Sequence, residues 1–237
     1  MFKKSTTIGI FTAKTNFIFL IFKGSFFLSI AIPLILLMTS LEFFSYRAEY
    51  FHHFQQQYHL TEATGRSQRE LDLVSKDLID YLRHGERALM EKHFNEREIT
   101  HMEDVFQLYR KGRIVRNVLL MVSVGILFVA YLEKGVRILL KKTSKGFLLV
   151  WLIMVLFALW VVLDFNRAFV YFHELFFTND LWILDPKTDW MIRLLPEKFF
   201  SGIVLRVGIS FLIEFILIHI LFSILGKEKR NEFSKND

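Results

Sequence analysis
The chain reads as an all-α membrane protein: four transmembrane helices carrying a small, mostly helical extracytoplasmic cap. Three observations predict this. Over half of the residues are hydrophobic, 53%, with Phe alone at 27 of 237, yet 23% are charged, a mix that points to apolar spans alternating with polar segments. Four apolar runs, 24–44, 115–132, 146–165 and 203–225, approach or exceed the roughly 20 residues a helix needs to cross hydrocarbon. The basic residues are asymmetric along the chain. Lys3, Lys4, Lys14 and Lys23 precede the first run, Lys134, Arg137, Lys141, Lys142 and Lys145 crowd the link at 133–145, and Lys227, Lys229 and Arg230 follow the fourth. The positive-inside rule then puts both termini and the 133–145 link in the cytoplasm and segments 45–114 and 166–202 outside. The whole chain is read as one integral membrane domain.

The first run is expected to be a retained anchor: it is too long for a signal peptide, carries Pro33, and is not followed by a small-x-small cleavage site. Pro33 is expected to kink it. The second and third runs are the shortest and need flanking residues to span. Segment 45–114 is too long for a bare loop. Ser67 and Glu70 have capping-box spacing ahead of Leu71, Val74, Leu78 and Leu82, which predicts a helix that stops at Gly85. Thr100 and Glu103 repeat that spacing and predict a second helix, running to about Gly112 before the chain enters the membrane. His101 would then sit at a helix N-terminus, where the dipole keeps imidazole neutral. Segment 166–202 is expected as short helices or loops along the surface, turned at Asp185-Pro186, with Trp182 and Trp190 as interfacial anchors.

Net charge of +6 invites a nucleic-acid partner, but its placement beside the spans argues for membrane lipid instead. The chain has no cysteine, which excludes disulfides, a thiolate nucleophile and palmitoylation. It has no Walker A loop, G-x-S-x-G elbow or H-E-x-x-H motif. An enzyme built this way fits a reaction whose nucleophile belongs to the substrate, and no cofactor is called for.

Two histidines stand out by position. His173 lies in Tyr171-Phe172-His173-Glu174, just after the third run, and His101 falls on the same side of the membrane. Such a pair can divide general base and general acid work near neutral pH. Each can equally hydrogen-bond a neighbour and order the cap, as His52, His53, His59, His84 and His93 on the same side illustrate. Asp104, one turn from His101, and Glu174 are placed to orient the rings. The same four residues have metal-ligand chemistry without a metal-site spacing. Arg206 is placed to contact a phosphate or carbonyl, or to snorkel. Glu214, mid-way along the fourth run, is a costly position for an ionisable group and reads as a packing hydrogen bond or a functional acid.

Two segments together resemble the bacterial lipoprotein intramolecular transacylase family, Lit. They are Arg97-Glu98-Ile99-Thr100-His101-Met102-Glu103-Asp104-Val105 and Phe172-His173-Glu174-Leu175-Phe176-Phe177. The latter is continued by Trp182, Asp185-Pro186, Asp189 and Pro196-Glu197-Lys198-Phe199-Phe200. The span layout and length are also similar. The resemblance implies an acyltransferase whose substrates are diacylated bacterial lipoproteins. It would move the sn-2 acyl chain of the diacylglyceryl-cysteine to that cysteine's own α-amino group, giving lyso-form lipoprotein without metal. It also implies that His101 and His173 are catalytic. In such a reaction one histidine would take the amine proton and the other would stabilise the oxyanion or protonate the departing sn-2 oxygen, with His173 favoured as base and His101 as acid. Asp104, Glu174, Tyr171 and Arg206 are the candidates for support or substrate binding. Two other readings stay open: a metal-dependent membrane hydrolase using the His and acidic residues, and a non-enzymatic accessory or sensor protein.

Overall fold
In a computed structural model, residues 3–227 are described, with side chains from residue 19 on. The sequence-predicted cytoplasmic residues Lys229 and Arg230, and the side chains of Lys3, Lys4 and Lys14, lie outside what is described. The described residues form helices and no strand, in the order α1 (Lys3–Ser45), α2 (Ala48–Gln57), α3 (Leu60–Thr64), α4 (Gln68–His84), α5 (Arg87–Glu91), α6 (Glu96–Leu132), α7 (Val136–Leu163), α8 (Phe165–Phe176), α9 (Met191–Leu194) and α10 (Glu197–Leu225). Four are long and apolar enough to cross a membrane: α1 from Phe19, α6, α7 and α10. The expected fold class, all-helical with four such helices, is the one found. Pro33 lies inside α1, which continues on both sides of it.

The chain divides into two compact units. Among the described residues, the first comprises 3–36, 117–156 and 212–227. Its helices pack closely where small side chains allow: a Cβ on Gly146 would collide with the Ser29 side chain, so glycine is required there. Two pairs of polar side chains in this unit satisfy each other in apolar surroundings. Ser144 and Ser223 hydroxyls are 2.6 Å apart, and Trp151 Nε1 donates to His219 Nδ1 at 3.0 Å. Much of α7 is apolar and exposed, including Leu148, Leu149, Leu152 and Val155, the pattern of a lipid-facing helix. Glu214 lies on α10 in this unit.

The second unit comprises residues 37–116 and 157–211. Its core is a continuous apolar cluster that includes Phe51, Phe54, Leu71, Val74, Leu78, Tyr81, Met90, Ile99, Met102, Trp190, Leu194 and Phe199. Helix α4 supplies one face of it, and its ends are those the sequence predicts. Ser67 and Glu70 form a reciprocal capping box, and Gly85 ends the helix at φ 77°. Gly85 also meets the Phe106 ring so closely that a Cβ would lie 2.5 Å from it, so both conformation and packing require glycine.

Helix α6 departs from expectation. It starts at Glu96, not at Thr100, and passes Gly112 unbroken to Leu132. The capping pair is Asn95 with Glu98: the Asn95 backbone N–H donates to Glu98 Oε2 at 2.8 Å, and the Glu98 N–H donates to Asn95 Oδ1 at 3.1 Å. Thr100 lies inside the helix and its hydroxyl donates to the Glu96 carbonyl at 2.8 Å. The reason is tertiary. Asn95 Nδ2 also donates to Asp189 at 2.9 Å and Glu98 also accepts from the Met191 N–H at 2.5 Å, so the start of α6 is fixed by the 185–191 loop. Each such cap typically contributes about 1 kcal/mol. His101 therefore sits in the second turn, beyond the reach of the terminal dipole.

Candidate active site
Arg97, His101 and Asp104 stand at i, i+4 and i+7 of α6, one face of a helix. That face addresses the loop after α8. Arg97 Nη2 donates to the carbonyls of Asp180 (2.7 Å) and Ile183 (3.1 Å), while Asp104 Oδ2 accepts from Asn179 Nδ2 at 2.9 Å. Asn179 Oδ1 in turn accepts from the Leu181 N–H at 3.1 Å, tightening the turn. The loop so held carries Trp182. Further on, the buried carboxylates of Glu98 and Asp189 close it down. Burial pushes the Asp189 carboxyl up, but the Asp185 backbone N–H and the Asn95 and Thr188 donors outweigh it and hold it below the usual range.

Helix α8 presents His173 to this loop. Asp164 begins the helix by accepting from the Arg167 N–H at 3.0 Å, and Phe177 ends it in extended conformation. His173 Nδ1 lies 2.7 Å from the Phe169 carbonyl, which can only accept, so Nδ1 carries a proton. In the neutral ring Nε2 is then the free lone pair. The ring is walled by aromatics: Phe169 at 4.2 Å between centroids, Phe172 at 5.4 Å, Phe177 at 5.5 Å, and Trp182 stacked at 4.8 Å and 29°.

His101 and His173 come together in this setting. Their ring centroids are 6.1 Å apart, and Phe177 touches both, 5.3 Å from His101. Both are buried, at 7% and 8% exposure. His101 Nδ1 is sealed from solvent without a hydrogen-bond partner. Burial, and then the neighbouring His173, push the His101 pKa down to about 4 against the opposing charge of Asp104. Burial likewise lowers that of His173, partly offset by the Phe169 carbonyl. Neutrality of His101 thus arises from burial and its partner ring, where the sequence suggested a helix terminus.

The remaining sequence candidates are placed differently. Asp104 bears on His101 by charge, and its hydrogen bond goes to Asn179. Glu174 is exposed on α8. Tyr171 is half-exposed and packs on Trp160, centroids 6.1 Å apart. The Arg206 guanidinium lies 4.4 Å over the Tyr50 ring and donates to the Gly202 carbonyl at 3.1 Å. Among the described residues no group of three or more His, Asp or Glu side chains is arranged to hold a metal ion. The sequence reading missed Phe169 and Asn95; it quoted Glu98, Phe177 and Trp182 among the motif residues, and Trp182 also as an anchor, but gave none of them a place beside the histidines. The i−4 spacing of Phe169 to His173 was the one available signal.

Comparison with known proteins gives a consistent picture. Residues 26–200 match the family model described as lipoprotein intramolecular transacylase Lit. No curated protein sequence matches. Among solved structures, the in meso structure of the membrane integral lipoprotein intramolecular transacylase Lit from Bacillus cereus superposes with a TM-score of 0.72 at 22% identity, covering 85% of this chain and 94% of that one. A variant of it carrying a histidine-to-arginine substitution gives 0.72 at 20% identity, covering 94% and 96%. A histidine-to-alanine variant gives 0.70 at 22%, covering 85% and 91%. At these identities the structural likeness speaks for the fold.

Proposed function
The chain belongs to the Lit family of lipoprotein intramolecular transacylases, and from that premise we propose that it moves the sn-2 acyl chain of a diacylglyceryl-cysteine to the α-amino group of the same cysteine. The product is an N-acyl, S-monoacylglyceryl lipoprotein. The observation that carries the assignment of residues is the convergence of two buried imidazoles, His101 and His173, in an aromatic pocket. The substrate supplies both nucleophile and acyl donor. Holding the amine against the ester makes the attack intramolecular, and such positioning is worth about 7–11 kcal/mol of the barrier.

His173 is the base. Its Nδ1–H is committed to the Phe169 carbonyl, which leaves Nε2 to take the proton as the amine nitrogen attacks the ester carbon. The imidazolium so formed faces Trp182, whose ring stabilises a cation over its face by roughly 0.5–2 kcal/mol. His101, held neutral, acts as a hydrogen-bond donor to the oxyanion instead of as an imidazolium acid. Collapse breaks the bond between the acyl carbon and the sn-2 oxygen. The proton on His173 passes to that oxygen, so an N–C bond has formed, an O–C bond has broken and a glyceryl hydroxyl is released. The reaction needs no metal. Asp104 and Arg97 serve by holding the Trp182 loop; Glu174, Tyr171 and Arg206 are left to substrate contact outside the pocket. The Lys/Arg asymmetry supports cytoplasmic termini and a site on the extracytoplasmic side of the bacterial cytoplasmic membrane, with 45–114 and 166–202 forming the cap. Mass spectrometry of lipoprotein N-termini from a host expressing this chain tests the reading: lyso-form N-termini are expected, and unchanged diacylglyceryl N-termini reject it.

A further inference from the structure
Helix α8 has an apolar side that the protein leaves uncovered. Leu175 is 77% exposed, and Phe172 and Phe176 are exposed at 44% and 49%. At about 100° per residue these three fall within roughly a quarter-turn of one another. Arg167 and Glu174, both exposed, lie on the opposite side. His173 falls on the flank between the two sides and is buried. A side of this kind, with large hydrophobes on one arc and charges on the other, is the sequence and surface of a helix that lies in a membrane interface.

Its connections point the same way. Only Asp164 separates α8 from the end of α7, one of the four membrane-competent helices, and Asp164 interrupts the helix at φ −149° and ψ 76°. The last residues of α7, Val162 and Leu163, are 78% and 75% exposed. At its own start α8 is tied to the beginning of a second such helix: Asn166 Nδ2 donates to Glu197 Oε2 at 2.8 Å, and the Phe169 and Phe200 rings pack 5.5 Å apart. The helix is too short to re-enter the bilayer. Twelve residues span only about 18 Å at 1.5 Å each, against about 30 Å of hydrocarbon. A lipid surface is therefore the occupant that fits.

We propose that α8 lies in the boundary between headgroups and acyl chains, with Phe172, Leu175 and Phe176 toward lipid and Arg167 and Glu174 toward water, and that this seating fixes the depth at which His173 meets a substrate. Interfacial helices of this type bury their apolar side about 5–10 Å into that boundary, the level at which a glyceryl ester lies. The depth assigned to His173 rests on the reaction proposed above, whereas the seating of α8 rests on its own exposed residues.

The absence of cysteine makes a direct test available. Phe172→Cys, Leu175→Cys, Arg167→Cys and Glu174→Cys, each in the full chain, are labelled with a nitroxide and reconstituted in lipid nanodiscs. At positions 172 and 175 collisions with oxygen should exceed those with a water-soluble nickel chelate, and at 167 and 174 the order should reverse. Nickel collisions dominating at 172 and 175 overturn the proposal. So does spin–spin broadening at 175, which means that a second copy covers the helix. For a variant that does not survive purification, maleimide labelling in intact membranes serves: Leu175→Cys should react more slowly with a water-soluble reagent than Glu174→Cys, and the opposite order rejects the seating.

Discussion

Trp182 lies stacked on His173, with ring centroids 4.8 Å apart and planes 29° apart. The two side chains come from different structural settings, a loop and a helix, and the loop is held by the face of α6 that carries His101. One histidine thus sits among the residues that seat the other's aromatic partner.

The two histidines should be individually indispensable. A general acid or base contributes about 10²–10⁴-fold, so His101→Ala and His173→Ala should each nearly abolish lyso-form lipoprotein while the protein inserts and purifies normally. The double variant should be little worse than either single one, because groups acting as a unit are non-additive. His53→Ala and His84→Ala, at exposed positions, should keep full activity. His93→Ala is different: His93 donates to the buried Asp77 carboxylate at 2.8 Å, so its loss should cost about 1–3 kcal/mol of stability without touching the chemistry. Mass-spectrometric ratios and thermal unfolding separate these outcomes, and normal lyso-form levels in either motif variant remove that histidine from the mechanism.

Protonation of the pair should occur below the ordinary histidine range. Both folded-state pKa values are depressed, that of His101 to about 4. A depressed imidazole pKa means that protons bind the unfolded chain more readily. Its contribution to stability is intact above about pH 6.5 and falls away as the pH drops toward 4. In the rate profile the pair should add no limb between pH 6.5 and 8, where the substrate's own amine, ordinarily near 7.7–8.0, sets the fall. Titration of labelled histidine by NMR checks this, and an imidazole titrating at or above 6.5 at either site contradicts it.

Trp182 should matter for rate more than for binding. Replacing it with Leu removes the ring face that meets the imidazolium, a loss of up to roughly 2 kcal/mol or about thirtyfold in kcat. Trp182→Phe should lose less, because a phenyl face remains. Equal activity in Trp182→Leu and wild type, or an effect confined to KM, would show that the stack only fills space.

Removing metal should leave the enzyme working. Glu174 is exposed and the Asp104 hydrogen bond goes to Asn179, so neither completes a ligand set around the histidines. Full activity is expected after exhaustive chelation. Activity lost to chelator and restored by zinc would replace the acid–base mechanism with a metal-assisted one.

Orientation can be read with reporter fusions. Those at Lys141 and at the C-terminus should report the cytoplasm, and those at Arg83 and Lys187 the opposite side. Arg83 and Lys187 reporting different sides would defeat the topology derived from the basic residues.

The spans and α4 were legible because their signals are local. Apolar runs and the Ser67–Glu70 box need no distant partner to act. The start of α6 was misread because two boxes compete, Asn95–Glu98 and Thr100–Glu103, and the winner is chosen by Asp189 and Met191 far along the chain. Glu42 was hidden inside the first apolar run, and only the fold brings it against Arg113 and Arg116. The histidines were singled out by motif, but their neutrality comes from burial and from each other, which no spacing encodes. The Trp182 stack depends on a loop conformation fixed by Arg97 and Asn179, and it was equally invisible.

The carbonyl that holds His173 Nδ1–H belongs to Phe169, four residues earlier on the same helix. The proposed base, His173, therefore carries its own tautomer lock and does not borrow one from across the pocket. Should the loop bearing Trp182 swing aside to admit a two-chained lipid, the ring keeps the same nitrogen bare throughout. Admission of a bulky guest and readiness for proton transfer are uncoupled, so each turnover can begin without an imidazole having to find its proton again.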